Sequence, residues 1–354
     1  MATGEAASPA PRATTHLVKL RPSTTMPPTQ VPPGYLDPRV ESLPPPPPSE
    51  QDFCGSLDGV IILVSAGDVH LAKACCASIR HSMGDIPITL LVDGPNTNTT
   101  QLEQLPNVKR MVAQEVAGSE CARLCTGFWV KLLVFWMSPY ERFLYVDADT
   151  LIWGDVRAYA EFDKYDFIAG YDFNSPRIMR TMEEVQRYVF DVDFINNLDP
   201  ALDWHGRELA NNGVFFARRG VYSKASLLEL RQLPCWRNYE QGVLNYLRWR
   251  ALRDGVPRTS GHRLQIFPAE NTYGPEDRFM PRNWKRPAII HWIGGKPRLG
   301  RRYQAASDYR KLFLKMTGRT RWLDARLFVE DVAVWFGRHK RSLLRQKKHS
   351  ELIT

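Results

Sequence analysis

Between residues 59 and 293 the chain is built from short apolar runs that end on polar residues. Residues 59–65 (GVIILVS), 87–93 (PITLLVD), 142–147 (RFLYVD) and 287–293 (PAIIHWI) are apolar at successive positions, as strands buried on both faces must be. Residues 108–113, 166–171 and 211–217 read as further strands, the first of them weaker. Between these runs, residues 69–82, 127–137, 221–232 and 239–251 read as helices, the second ending before Pro139. Strands alternate with helices and no internal repeat interrupts them. The expected fold class is therefore α/β, with a mostly parallel central sheet flanked by helices. In such sheets ligands bind beyond the carboxyl ends of the strands.

One strand ends on chemistry. Phe143-Leu-Tyr-Val runs straight into Asp147-Ala148-Asp149-Thr150-Leu151. Alternate positions of a strand point to one side, so both carboxylates project together from rigid backbone. Two such groups repel unless something positive lies between them, most simply a divalent cation. A turn in which the aspartates cap backbone amides is the ordinary alternative.

Composition narrows the setting. The chain has 354 residues, 44% hydrophobic and 24% charged, enough for one large domain or two smaller ones. No apolar run approaches the roughly 20 residues that span a bilayer, and no basic region followed by an apolar core marks a signal peptide. The six cysteines (Cys54, Cys75, Cys76, Cys121, Cys125, Cys235) form no C-x-x-C pair. Cys75 and Cys76 read as small core residues, and a reducing cytoplasm is the expected location. There, the sequon Asn98-Thr99-Thr100 is a chance match.

Residues 1–50 contain 13 of the 26 prolines, with Pro44 to Pro48 consecutive. The expected organisation is a disordered Pro-rich segment over 1–55, a domain over 56–300 and a basic helical tail over 301–354. The net charge of +9 belongs to that tail: residues 301–354 carry 14 Lys/Arg against 5 Asp/Glu, while the preceding residues balance at 33 and 33. In residues 322–336, Leu323, Leu327 and Val334 with Trp335 form an apolar face, and residues 338–348 are strongly basic. This pattern suits an interfacial helix on an anionic membrane, with a packing helix followed by a solvated end as the bland alternative. No aromatic–basic platform points to nucleic acid.

Four features accompany the aspartates. Lys131 is the only charge in Phe128-Trp-Val-Lys-Leu-Leu-Val-Phe-Trp136; burying it is costly without an anion, although it could snorkel. Asn211-Asn212-Gly213 opens an apolar strand, a position where turns also use these residues. Glu240-Gln241-Gly242 begins a helix, where an acid is also ordinary dipole chemistry. Ile289-Ile-His291-Trp-Ile-Gly294-Gly295-Lys296-Pro297 places a histidine at a strand end before a flexible loop and a lysine, which suits a metal ligand beside a phosphate-binding loop. A lone strand histidine is more often structural.

In this order, over roughly residues 59–300, the segments resemble the retaining glycosyltransferases of family 8, which include glycogenin and bacterial lipopolysaccharide galactosyltransferases and glucosyltransferases. The resemblance implies the GT-A nucleotide-diphospho-sugar transferase fold and transfer of a hexose, glucose or galactose by preference, from a UDP-sugar to an acceptor that is carbohydrate, lipid-linked or protein. Asp147 and Asp149 match the family's metal ligands, with Ala148 between them, and His291 matches the third; Mn²⁺ (or Mg²⁺) is the implied ion. Gly294 and Lys296 match its diphosphate loop, and Lys131 its basic residue reaching the donor. Asn211 matches the asparagine facing the donor sugar, while Asn212 replaces a small residue. Glu240-Gln241 match an Asp-Gln pair with one added methylene, and Asp172 matches the acid after the fourth strand. Ala66, Asp68 and His70 resemble the base-binding loop. Glu240, Asp172 and Gln241 are thus the expected catalytic residues. Covalent and front-side routes to retention are both open.

Three rival readings are carried. A haloacid-dehalogenase-type phosphatase shares four apolar residues followed by D-x-D-x-T, with Asp147 as nucleophile. It would open with that motif, however, and here a strand–helix–strand pattern over residues 59–113 precedes it. A sugar nucleotidyltransferase would want a glycine-rich loop where Ser65-Ala66-Gly67-Asp68 lies. A non-catalytic sugar-nucleotide-binding protein would not need an intact metal trio.

Overall fold

A computed structural model describes residues 35–36, 57–116, 118, 126–171, 178–261, 266–268, 280–281, 287–291, 304–323, 325–330, 332–333 and 336. The apolar runs form β1 (Gly59–Ser65), β2 (Ile88–Asp93), β3 (Val108–Val112), β4 (Arg142–Asp147), β5 (Thr150–Trp153), β6 (Phe167–Tyr171) and β7 (Ala210–Arg218). Short strands follow: β8 (Thr259–Gly261), β9 (Ile266–Pro268) and β10 (Ala288–His291). The helices that pack on them are α1 (Val69–Met83), α2 (Met182–Tyr188), α3 (Val192–Leu198), α4 (Lys224–Gln232), α5 (Glu240–Asp254) and α6 (Gln304–Met316).

Seven strands form the main sheet in the order β3-β2-β1-β4-β7-β6-β8. Its pairings are parallel except where β7 runs antiparallel between β4 and β6. Burial explains the unbroken apolar runs. Val60, Ile62 and Val64 of β1 face one core cluster with α1 and α6, while Ile61 faces a second cluster with α5. Alternate residues of one strand thus serve two cores.

A second sheet, β9-β10-β5, carries the residues that matter most. Strand β5, absent from the sequence expectations, leaves the Asp pair at once and pairs antiparallel with β10, with Thr150 opposite His291. Its outer edge is closed by α1. Ser78 Oγ accepts from the Ile152 amide at 2.9 Å, and Ser82 Oγ donates to the Ile152 carbonyl at 2.9 Å. Serines four apart share one helix face, so a helix supplies hydrogen bonds that a neighbouring strand would give.

Three differences from expectation have physical causes. Residues 127–137 are not one α-helix: Gly127–Leu133 is a 3₁₀-helix, and only Val134–Met137 is α. The 3₁₀ coil eclipses positions three apart, which sets Phe128 and Lys131 on one side. Helices α2 and α3 lacked a readable periodicity because each is seven residues long. In the tail, Leu323 and Leu327 pack against the α1–α6 core rather than outward. Glu330 anchors this segment to Lys73 of α1 and, at 2.5 Å, to Arg310 of α6. The exposed apolar residues are instead Trp322, Phe328, Val329 and Phe336. Val334, Trp335 and residues 338–348 lie outside the described residues. Among the described residues no helix is long and apolar enough to cross a membrane.

Candidate metal and donor site

Strands β1 and β4 run parallel, with Leu63 beside Asp147. Asp147 and the loop after β1 therefore share the carboxyl edge of the sheet. The β5–β10 register brings His291 to the same place. His291 Nε2 lies 3.4 Å from Asp149 Oδ1 and 3.7 Å from Asp147 Oδ2. One potential ligand atom from each of the three lies within 4.8 Å of the others. Two atoms each about 2.1 Å from a common ion lie about 3.0 Å apart at right angles and about 4.2 Å apart when opposed. Both distances from His291 fall in that window, and one nitrogen with two carboxylate oxygens suits a divalent cation. His291 is buried, and its Nδ1 makes no hydrogen bond among the described residues.

The second feature is a buried charge relay. Lys131 Nζ lies 3.0 Å from Asp147 Oδ2 and 3.1 Å from Glu240 Oε1. Burial opposes the lysine's charge, but the two carboxylates outweigh it and hold its pKa above the ordinary value. Burial pushes the Glu240 pKa up, and Lys131 only partly offsets this.

Two participants escaped the sequence reading. Tyr145 read as an apolar strand residue, yet its hydroxyl donates to Asp147 Oδ1 at 2.6 Å. Burial first, then Asp147, raises its pKa far above the ordinary value, so it stays protonated and donating. The signal was present, because positions 145 and 147 of a strand share a face. Its ring stacks on Phe215 at 4.7 Å, which fixes the hydroxyl. Gly213 is the other. A Cβ there would lie 2.1 Å from His291 Cε1 and 2.9 Å from Asp147 Oδ2.

The remaining expected residues divide. Asn211 Oδ1 accepts from the Gly213 amide at 2.8 Å, a local bond within β7. That bond sits in an irregularity: Ala169 faces Phe215, yet the next residue, Gly170, faces Asn211. The three residues skipped on β7 bulge at the sheet's carboxyl edge beside His291. Asn212 is fully buried, and neither polar atom of its side chain has a hydrogen bond among the described residues. Ala148 is buried between the aspartates. At the end of β1, Ala66 is exposed, while Asp68 and His70 are buried, and Asp68 accepts from Ser65 Oγ at 2.5 Å. The carbonyl of Gln241 accepts from Asn245, whose amide also pairs with both backbone groups of Ala210. This ties α5 to the start of β7. Asp172, Gly294 and Lys296 lie outside the described residues.

Beside Glu240 the backbone is strained. Tyr239 has φ 49° and ψ −125°, a conformation that costs a bulky residue about 1–3 kcal/mol. Its neighbours impose it. Asn238 Nδ2 donates to the Tyr188 carbonyl at 2.6 Å, the Gln241 amide donates to the Asn238 carbonyl at 2.9 Å, and Gly242 packs where a Cβ would come within 2.4 Å of the Val189 carbonyl.

The sheet order, the crossing β7 strand and the acidic pair at the carboxyl edge define a GT-A glycosyltransferase fold. Among solved structures the chain is similar to the bifunctional glycosyltransferase WbbM, at 13% identity and a TM-score of 0.51, over 77% of this chain and 53% of WbbM. The chain thus spans about half the length of WbbM. It also matches the galactosyltransferase LgtC, solved with donor and acceptor sugar analogs, at 15% identity and a TM-score of 0.44, over 73% of this chain and 95% of LgtC. A third match is the glycosyltransferase GlyE of Streptococcus pneumoniae, at 14% identity and a TM-score of 0.45, over 74% of this chain and 62% of GlyE. No protein-family model and no curated protein matches the sequence.

Proposed function

We propose that the chain is a metal-dependent, retaining hexosyltransferase of the family 8 type, using a UDP-sugar donor, with UDP-glucose or UDP-galactose preferred. The observation that carries this reading is the Asp147–Asp149–His291 cluster, set beside the Lys131–Glu240 pair on a GT-A sheet edge. Asp147, Asp149 and His291 would hold Mn²⁺ or Mg²⁺. When bound, such an ion stabilises the charge of a departing nucleoside diphosphate as a Lewis acid. Lys131 pairs with both Asp147 and Glu240 and favours the ionised form of Glu240 against the opposing effect of burial. An ionised Glu240 stabilises positive charge developing on the transferred sugar. Gln241 and Asp172 remain candidates for the sugar pocket, Gly294 and Lys296 for the diphosphate, and Ala66, Asp68 and His70 for the base.

The deciding experiment is a panel of nucleotide sugars with Mn²⁺, read as nucleotide release. Release of UDP from one or more UDP-sugars is expected. Phosphate release from a simple phosphate ester, without UDP release, would establish the phosphatase instead. Against the phosphatase, the strand order is that of a GT-A fold.

Tyr145→Phe removes only the hydroxyl that orients Asp147. Changing such an outer partner of a metal ligand weakens binding about 10–100-fold. The Mn²⁺ concentration for half-maximal activity is expected to rise accordingly, with activity largely recovered at saturating metal. An unchanged metal dependence would remove Tyr145 from this role.

The exposed face of the tail supports contact with an anionic membrane, with Leu323 and Leu327 packed on the core instead. Trp322, Val329 and Phe336 recur every seven residues and are exposed, and the sequence that follows is basic. Vesicles containing phosphatidylserine are expected to co-sediment the full chain, and to do so less after Trp322→Ala or deletion of residues 337–354. Equal sedimentation of all three proteins would reject the contact.

A further inference from the structure

Large aromatic rings are normally covered, yet Phe128 and Tyr239 are 60% and 54% exposed. They are not scattered. Their rings stack at 5.3 Å with an interplanar angle of 24°, and Trp129 meets Tyr239 edge-on at 6.3 Å. Behind them the Arg231 guanidinium lies over the Trp129 ring at 4.2 Å. The pair comes from two distant segments. One ring is on the 3₁₀-helix, and the other is on the strained residue that starts α5.

Both rings are tied to the charge relay. Phe128 and Lys131 are three apart in a 3₁₀-helix, hence on one side of it and about 6 Å apart along its axis. Tyr239 immediately precedes Glu240, about 3.8 Å away between Cα atoms. Lys131 and Glu240 meet at 3.1 Å. The elements that carry the buried ion pair therefore also carry the exposed aromatic pair at their outer ends. The unfavourable backbone of Tyr239 keeps its ring in place, and strain of this kind gathers at binding sites.

We infer that Phe128 and Tyr239 form the acceptor platform, and that the acceptor is a carbohydrate. This rests on the transferase reading for its position but not for its chemistry. The C–H bonds of a pyranose carry partial positive charge because their carbons bear oxygen, and an aromatic face is negative. With the two rings stacked on each other, an apolar sugar face lies on the outer face of one of them and leaves its hydroxyl rim free. A flexible lipid chain would favour a closed groove, and a protein tyrosine would need a hydrogen-bonding pocket for its hydroxyl.

The probes are methyl α- and β-glucosides and galactosides, maltose, lactose and cellobiose, with binding read by saturation-transfer NMR in the presence of Mn²⁺ and UDP. At least one is expected to bind, with saturation strongest on C–H protons of one sugar face. Phe128→Ala and Tyr239→Ala are each expected to weaken binding about tenfold. Both side chains are mostly exposed, and circular dichroism checks that the variants are folded; Phe128→Trp, which keeps a ring, is expected to restore binding. Absence of binding by every probe, or binding indifferent to both alanine variants, overturns the assignment. UDP release from the donor, assayed in parallel without probe, is a separate readout. Its failure would overturn the transferase reading, while sugar binding to the rings would still be measured.

Discussion

Asp149→Asn is expected to lower metal-supported UDP release and transfer by at least about 10³-fold, since metal stabilisation of a leaving group amounts to several kcal/mol and each 1.36 kcal/mol is tenfold. The substitution preserves shape but replaces an anionic oxygen with a neutral amide. Asp149 Oδ1 faces His291 Nε2 at 3.4 Å, so the change removes charge at the centre of the cluster. Lys131 cannot compensate, because its own partners are Asp147 and Glu240. Kinetics across a Mn²⁺ titration, with calorimetric Mn²⁺ binding, provide the measurement. Retention of full activity with unchanged metal dependence would remove Asp149 from the metal site. Stability should change little, since the residue is close to the surface edge of the sheet and relieving repulsion between two carboxylates offsets lost contacts.

Gly213→Ala is the second large effect, and its cause is space. Gly213 does not need a glycine-only backbone conformation, so alanine is acceptable there on conformational grounds. Its Cβ, however, would lie 2.1 Å from His291 Cε1, 2.7 Å from Nε2 and 2.9 Å from Asp147 Oδ2. One methyl therefore collides with two of the three candidate metal ligands. The imidazole must rotate away, and overpacking of this kind costs about 1–3 kcal/mol of stability. We expect Mn²⁺ affinity to fall by at least about 100-fold, the upper end for a disturbed outer partner, because here ligands themselves move. A double-mutant cycle separates the collision from generic damage. Adding His291→Ala to Gly213→Ala should return most of the lost melting temperature, because the two closest contacts are both to the imidazole and only that to Asp147 Oδ2 remains, while metal affinity stays low. If Gly213→Ala binds Mn²⁺ normally, the close packing of β7 against the cluster is wrong.

Sequence reached the aspartates, Lys131 and His291 because each broke a local pattern: charges closing an apolar strand, one cation in an apolar run, an imidazole at a strand end. It misread Tyr145, whose phenol fits an apolar strand equally well until Asp147 is seen to share its face. It did not say which side of the tail meets the core: Leu323 and Leu327 pack against α1 and α6 while Trp322, Val329 and Phe336 are exposed, and residue spacing alone cannot say which side is covered. Asn211 read as a sugar contact and as a turn residue alike; within β7 its side chain accepts from the Gly213 amide.

By itself the sequence determined where most of the longer strands and helices run, because side-chain period and continuous burial are properties of a few adjacent residues. It also determined the two carboxylates, because their spacing lies within one strand end. Only the tertiary structure decided what surrounds them. The β5–β10 register sets His291 opposite Thr150, the 3₁₀ turn aims Lys131 at Asp147, and the β7 bulge brings Gly213 against the imidazole. Each is a meeting of segments far apart in the chain. It is fixed by hydrogen-bond ladders and close packing across the whole sheet, and no local pattern records it.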